Sequence, residues 1–292
     1  MSKIFDEKLL ETAAIDTSLR EFSHLGIGGK AKNLFAPHKI EEISKIVSAT
    51  AKANLNIFPV GAASNILFGN TRDKVIILDK FIPKFCEVNG NEVLVSANYK
   101  IAKFIDEMKE LTLGGLEFLA GVPANIGGAV SMNAGAFGGN ISDFIEFIEV
   151  VDHDGKIREY QKEEIDFGYR KSSINGFITK VGFILAPKPK EEIMAEAAKI
   201  IAFRKVQHPY NFPSLGSTFK NPENHAAGKL IEECGLKGKT IGGAQISKKH
   251  ANFIVNKGNA TYRDVKSLID LMMSEVYRTM NIMLQLEIKV LD

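Results

Sequence analysis

Gly121-Val122-Pro123-Ala124-Asn125-Ile126-Gly127-Gly128-Ala129-Val130-Ser131-Met132-Asn133-Ala134-Gly135-Ala136 is the stretch on which the reading of this chain turns. It carries no charge and almost no bulk. Small residues let a ligand lie against bare backbone, whose N–H groups can hold a pyrophosphate. The same composition suits a tight crossing of helix and sheet. The pattern alone leaves both readings open.

On the N-terminal side, Val93-Leu94-Val95 reads as a strand, and Ile101, Phe104, Ile105 and Met108 recur at helical spacing. On the C-terminal side, Asp154-Gly155 between Phe144–Val151 and Ile157–Tyr160 is a hairpin signal, and Phe177–Leu185 is a further strand. Further out, Ile40, Ile43, Ile46 and Val47 predict a helix, and Asn56–Val60 predicts a strand running into Gly61. Lys74–Leu78 is another strand. Pro187-Lys188-Pro189-Lys190 is the best linker candidate. Glu192–Arg204 then reads as a helix. Val265, Leu268, Ile269, Met272 and Val276 form a second helical stripe behind a Thr261-x-x-Asp264 capping box. Leu284, Leu286, Ile288 and Val290 alternate with Gln285, Glu287 and Lys289, which predicts a closing strand. Strands and helices mix without a steady rhythm, so the expected class is α+β.

The 292 residues allow two domains, at about 150 residues each. Area scaling buries about three-quarters of the unfolded surface, so no disulfide or metal staple is needed. With 37 basic and 35 acidic side chains, the net charge of +2 gives no global pull toward nucleic acid or anionic lipid. Cys86 and Cys234 show no CxxC spacing and read as reduced thiols. Met1–Lys8 carries charge where a secretory leader needs an apolar core, and no apolar run reaches the roughly 18 residues of a membrane span. A cytoplasmic, monomeric protein without membrane insertion or nucleic-acid partner is the expectation. The six histidines show no zinc spacing, so no metal is expected. Gly26-Ile27-Gly28-Gly29-Lys30-Ala31 formally fits G-x-G-x-x-A. It lacks the preceding strand and following helix of a dinucleotide fingerprint and reads as a turn between short strands.

Several stretches, in order, resemble the UDP-N-acetylenolpyruvoylglucosamine reductases, flavoenzymes of peptidoglycan synthesis. They are Asp16–Leu19 with Gly28-Gly29, Gly61–Leu67, Gly115–Gly139, Phe167–Ile174, Pro213–Pro222 and Ala227–Ala260. The resemblance implies a lead-in at 1–20. An FAD-binding region of the vanillyl-alcohol-oxidase type would follow at 21–187, with a subdomain break near 71, and a substrate-binding domain at 188–292. It implies FAD as cofactor, NADPH as co-substrate and UDP-N-acetylglucosamine enolpyruvate as substrate. The FAD pyrophosphate would meet Gly61, Ala62, Ala63, Ser64 and Asn65, and the loop of Gly121, Val122, Pro123, Ala124, Gly127, Gly128 and Ala129. The short run from Pro209 to Asp292 points to the type lacking an extra tyrosine-bearing loop.

By the same resemblance Ser217 is the proton donor, and Arg170 and Glu287 stabilise an enolate. Tyr169, Asn221, His250 and Asn252 would bind substrate. Each has a plain alternative: Ser217 a turn serine, Arg170 a solvated arginine, Glu287 an exposed strand glutamate, His250 an ordinary neutral histidine. The chain departs from the family at Ala62, Ala63 and Ala124, where glycine is frequent, and at Gln207, where lysine is common with Lys205 two residues away. An oxidase of a small alcohol on the same cofactor fold is the alternative enzyme. A UDP-sugar-binding module without FAD is the non-enzymatic one.

Overall fold

The computed structural model describes Phe5 and residues 7–292. Residues 1–4 and 6, on which the leader reading partly rests, lie outside the described residues. The chain divides into two compact units, each built from three segments.

The first unit takes Met1–Thr17, Lys32–Ala62 and Asp73–Ala202. Its main sheet is antiparallel throughout, in the order Ile157–Gln161, Ile145–Asp152, Gly176–Ile184, Glu92–Ser96, Cys86–Asn89. The predicted hairpin closes on Gly155, whose φ of 85° suits glycine. The helix Ile101–Glu110 turns Ile101, Phe104, Ile105 and Met108 inward, as its spacing requires. These join Val95, Ile126, Val130, Ile148, Val181 and Phe183 in one core. A second sheet pairs Asn56–Val60 parallel with Thr71–Leu78. The helix Ile40–Lys52 buries Ile43, Ile46 and Val47 against Phe35, Val75 and Ile77. Largely antiparallel sheets with helices outside the strand rhythm make an α+β fold.

The Pro187–Lys190 stretch is tied down at its start. Ala186 and Pro187 pair with Gly114 and Leu113, and the Lys188 N–H donates to Thr112 O at 2.8 Å. The following helix runs Lys190–Gln207, longer at both ends than the apolar spacing suggested.

The second unit takes Ser18–Ala31, Ala63–Arg72 and Phe203–Asp292. Its sheet is ordered Ser214–Ser217, Phe253–Asn256, Ala244–Ile246, Thr240–Ile241, all antiparallel. The helix Tyr262–Met280 lays Val265, Leu268, Ile269, Met272 and Val276 into its core. The expected capping box is present: Thr261 Oγ1 accepts from the Asp264 N–H at 3.2 Å, and Asp264 returns the bond at 2.9 Å.

The closing strand is shorter than its alternation predicts. Only Lys289–Leu291 is strand, paired parallel with Ile66–Phe68. The segment before it bonds elsewhere. Lys220 N–H donates to Gln285 O, Leu286 bridges Phe219, and the Glu287 N–H reaches Thr218 O at 2.9 Å. The backbone changes partner between Glu287 and Lys289, so the buried–exposed rhythm survives while the ladder does not.

Gly28 and Gly29 are packing glycines. A Cβ on Gly28 would lie 2.7 Å from the Leu19 carbonyl carbon, and one on Gly29 would lie 2.3 Å from Gly69 O. Neither neighbour is a side chain that can rotate away. Gly29→Ala should therefore lower stability by about 2–3 kcal/mol, as overpacked sites do, seen as a lower urea midpoint with unchanged slope.

Candidate active site

In the first unit, the Asn56–Val60 strand ends at Gly61, which is exposed. Its Cα faces inward on Asp79: a Cβ there would sit 3.1 Å from Asp79 Oδ2 and 3.4 Å from Asn125 Nδ2. Asn125 precedes the short helix Ile126–Ser131 and donates from Nδ2 to Asp79 Oδ2 at 3.1 Å. The glycines of that helix divide the work between packing and openness. A Cβ on Gly127 would strike Ala97 Cβ at 2.8 Å, and the Gly127 and Ile126 N–H groups donate to Ala97 O and Tyr99 O. Gly128 is exposed, with nothing within 4 Å of where its Cβ would be. The packing reading of this stretch holds at Gly127, and one residue on Gly128 leaves bare backbone open.

Tyr169 and Arg170 form the turn between Phe167–Gly168 and Lys171–Ser172, with Arg170 at φ 56°. Its Nη2 donates to Gly135 O at 2.7 Å, and the guanidinium lies 5.0 Å from the Tyr169 ring centre. Asn133 Nδ2 donates to Gly168 O at 3.1 Å and Ser172 Oγ to Ser131 O at 2.9 Å, so the small-residue segment holds the hairpin at three points.

In the second unit, Ser217 ends the Ser214–Ser217 strand, after Gly216 at φ 78°. The Thr218 N–H donates to Asn252 O at 2.7 Å, and Thr218 O accepts from the Glu287 N–H. Asn65 Nδ2 donates to Glu287 O at 3.1 Å, and Asn65 O accepts from the Lys289 N–H. Ser217, Glu287 and Asn65, scattered in sequence, are thereby brought together. Asn252 is buried, and its amide is consumed by Phe219: Oδ1 accepts from the N–H at 2.9 Å, and Nδ2 donates to the carbonyl at 2.8 Å. Asn221 Oδ1 accepts from the Ala227 N–H. His250 packs on Phe253 with ring centres 4.8 Å apart, and His208 packs on the same ring at 4.9 Å. Gln207 is exposed at the end of its helix, where Lys249 Nζ donates to Lys205 O at 2.6 Å. A cation does reach this helix end, from a distant segment.

Two family models match the chain: "FAD binding domain" over residues 31–161, and "UDP-N-acetylenolpyruvoylglucosamine reductase, C-terminal domain" over residues 208–291. A UDP-N-acetylenolpyruvoylglucosamine reductase of Clostridium kluyveri is 37% identical over 287 residues, covering 97% of this chain and 94% of that one. The chain belongs to the UDP-N-acetylenolpyruvoylglucosamine reductase family. A Fusobacterium nucleatum reductase is 40% identical over 274 residues, covering 92% of this chain and 96% of that one. The crystal structure of the Thermus caldophilus reductase superposes with a TM-score of 0.81 at 36% identity, covering 96% of this chain and 100% of that one. Members of this reductase family are flavin-dependent oxidoreductases, and this chain carries both their FAD-binding and C-terminal domains.

The residues present fit the FAD that this reductase family requires. Bare, exposed backbone at Gly61 and Gly128 suits a diphosphate, whose oxygens need N–H donors without an intervening side chain. Ala124 stays outside the left-handed region, so its methyl is tolerated there. Ala63 does enter that region, at φ 51°, at a cost of about 1–2 kcal/mol. Among the described residues no helix is long and apolar enough to cross a membrane.

Sequence reading missed Asp79 and Asn98. Asn98 Nδ2 donates to Asp79 O at 3.0 Å and to Ile82 O at 2.7 Å, while its buried Oδ1 has no partner among the described residues. A carboxylate closing the apolar run Val75–Leu78 was the available signal for Asp79.

Burial pushes His208 down to about 4, helped by the charges of Arg204, His250 and Lys249, and burial also lowers His250. Between about pH 4 and 6.5 the unfolded chain therefore binds more protons than the native one, and stability rises with pH across that window. His208→Phe should flatten this rise in urea midpoints measured from pH 4.5 to 7. Because His250 titrates in the same direction, the slope should shrink without vanishing.

Proposed function

We propose that this enzyme reduces UDP-N-acetylglucosamine enolpyruvate to UDP-N-acetylmuramate at the expense of NADPH, in peptidoglycan synthesis in the cytoplasm. When bound, FAD supplies the hydride, received beforehand from NADPH. In this reading residues 21–187 serve the cofactor and 188–292 the substrate, in the form of the fold lacking the tyrosine-bearing loop.

The observation that carries the reading is the backbone junction at Thr218 and Glu287. The 2.9 Å bond between them fixes Ser217 one residue from the contact and Glu287 on the contact itself. A hydride added to the terminal methylene of the enolpyruvyl group leaves an electron pair shared between the α-carbon and the carboxylate. Ser217 Oγ delivers its proton to that α-carbon, which completes the saturated lactyl ether. The alkoxide left on Ser217 is strongly basic, so the transfer requires a field that stabilises it. Arg170 supplies a permanent positive charge whose planar fork matches a carboxylate or enolate edge. It is pre-oriented by Gly135 O and the Tyr169 ring, so little side-chain freedom is lost when the substrate engages it. Glu287 assists from the carboxylate's other side. Its backbone is held by Asn65 Nδ2 on its own carbonyl, which sets where the carboxylate starts from. Tyr169, Asn221 and His250 line the substrate, and Asn252 holds Phe219 for them.

Purified enzyme should turn over NADPH beyond one equivalent per flavin only when the enolpyruvyl substrate is present. Ser217→Ala should keep flavin reduction by NADPH, read by bleaching of the flavin absorbance, while turnover falls about 10²–10⁴-fold, the usual scale of general acid catalysis. Unchanged turnover would remove Ser217 from the mechanism. NADPH oxidation indifferent to the substrate would remove the reading itself.

A further inference from the structure

Asp79 is a partly buried acid that the chemistry above does not use. It lies just past the Thr71–Leu78 strand and holds three segments at once. Its N–H donates to Val60 O at 3.2 Å, directly before the Gly61 turn. Its carbonyl accepts from Asn98 Nδ2. Its Oδ2 accepts from Asn125 Nδ2, at the start of the helix that bears Gly127 and Gly128. The Gly61 Cα is so close that even a Cβ would contact the same carboxylate oxygen. We propose that Asp79 is a positioning residue for the cofactor: through Asn125 and the Gly61 turn it sets the spacing of the two backbone surfaces that receive the FAD diphosphate, and thereby the affinity for FAD. The proposal rests on the reading that Gly61 and Gly128 face that diphosphate.

The geometry has an electrostatic consequence. Burial pushes the Asp79 carboxyl up to about 6, against the lowering effects of the Asn125 hydrogen bond and the Lys84 charge. Lys84 is the charged group acting on it from its own connection. Asn98 and Asn125, which reach it from the other two segments, are uncharged, and the end of the Asn56–Val60 strand offers only backbone. Without FAD the carboxyl is thus mostly ionised at pH 8 and mostly protonated at pH 5. A diphosphate carries two negative charges, and placed across Gly61 it opposes ionisation of the acid behind the turn. Binding FAD then draws a proton onto Asp79, so affinity falls as pH rises through the range above 6. The neutral acid keeps an acceptor for Asn125, so the spacing of the two surfaces is retained in the form that FAD prefers.

The test is FAD binding to full-length apoprotein, followed by flavin fluorescence from pH 5.5 to 8. The wild-type Kd should rise about fivefold to tenfold across that range. Asp79→Asn keeps an acceptor and cannot ionise, so its Kd should be flat and near the wild-type value at low pH. Asp79→Ala should bind about tenfold more weakly than Asp79→Asn at every pH, because the tie to Asn125 is cut. Unchanged far-ultraviolet circular dichroism of each apoprotein checks that the variants fold. A merely structural Asp79 would leave the pH slope in Asp79→Asn, and that result overturns the proposal while leaving the loop reading intact. So would a flat wild-type profile. Gly61→Val and Gly128→Val should each abolish binding. If both bind FAD as the wild type does, the loop reading fails, and this proposal fails with it.

Discussion

The first unit depends on backbone lying against backbone at Gly127. The Ala97 carbonyl accepts the Gly127 N–H at 2.8 Å, and the Ala97 methyl occupies the space a side chain at 127 would need. Ala97 is itself bonded through its N–H to Thr179 O, so the short helix is anchored to the edge of the main sheet's central pair of strands. Once that crossing is fixed, Asn125 must precede it and Gly128 must follow it into the open. The position of the candidate cofactor surface is therefore a consequence of core packing. It does not need a dedicated frame of its own.

The second unit solves a related problem with side-chain amides. Asn252 satisfies both polar groups of the Phe219 backbone in a buried setting, where either group left unpaired would cost about 1–3 kcal/mol. Asn256 does similar work at Leu25 O, Gly258 N–H and Ala260 N–H. These asparagines stand in for strand partners where the chain leaves the ladder. The register is irregular between Ser214 and Ser217, and Ser217, opposite Phe253, is the last residue of its strand.

Much of this was legible in the sequence. Strong periodicity placed the helices at Ile40–Lys52, Ile101–Glu110 and Tyr262–Met280, because a buried stripe leaves a spacing that nothing else produces. The capping box at Thr261 was readable because both bonds are local. The closing strand was overextended because alternation reports burial, and burial persists when a segment swaps partners, as it does between Glu287 and Lys289. The glycines of Gly26–Ala31 could be denied a nucleotide role, but the backbones they accommodate, at Leu19 and Gly69, lie outside any local pattern. Asp79 went unseen for the same reason: its partners at Val60, Asn98 and Asn125 are joined to it only in three dimensions. Ala62, Ala63 and Ala124 looked alike on paper, yet only Ala63 adopts the conformation that glycine favours.

The pairing of Ile66–Phe68 with Lys289–Leu291 also bears on how this chain is made. Asn65 and Glu287, at the near end of that pairing, are 222 positions apart. At about 5–20 residues per second of synthesis, the earlier strand waits roughly 10–45 s for its partner to exist. Throughout that time Leu67 and Phe68, fully buried in the finished fold, belong to a strand with an open edge. The segments of the first unit, ending at Ala202, are complete well before the wait is over. The growing chain thus carries an unpaired strand edge after the segments of the first unit are complete, and an open edge of that kind is a template for pairing with other chains.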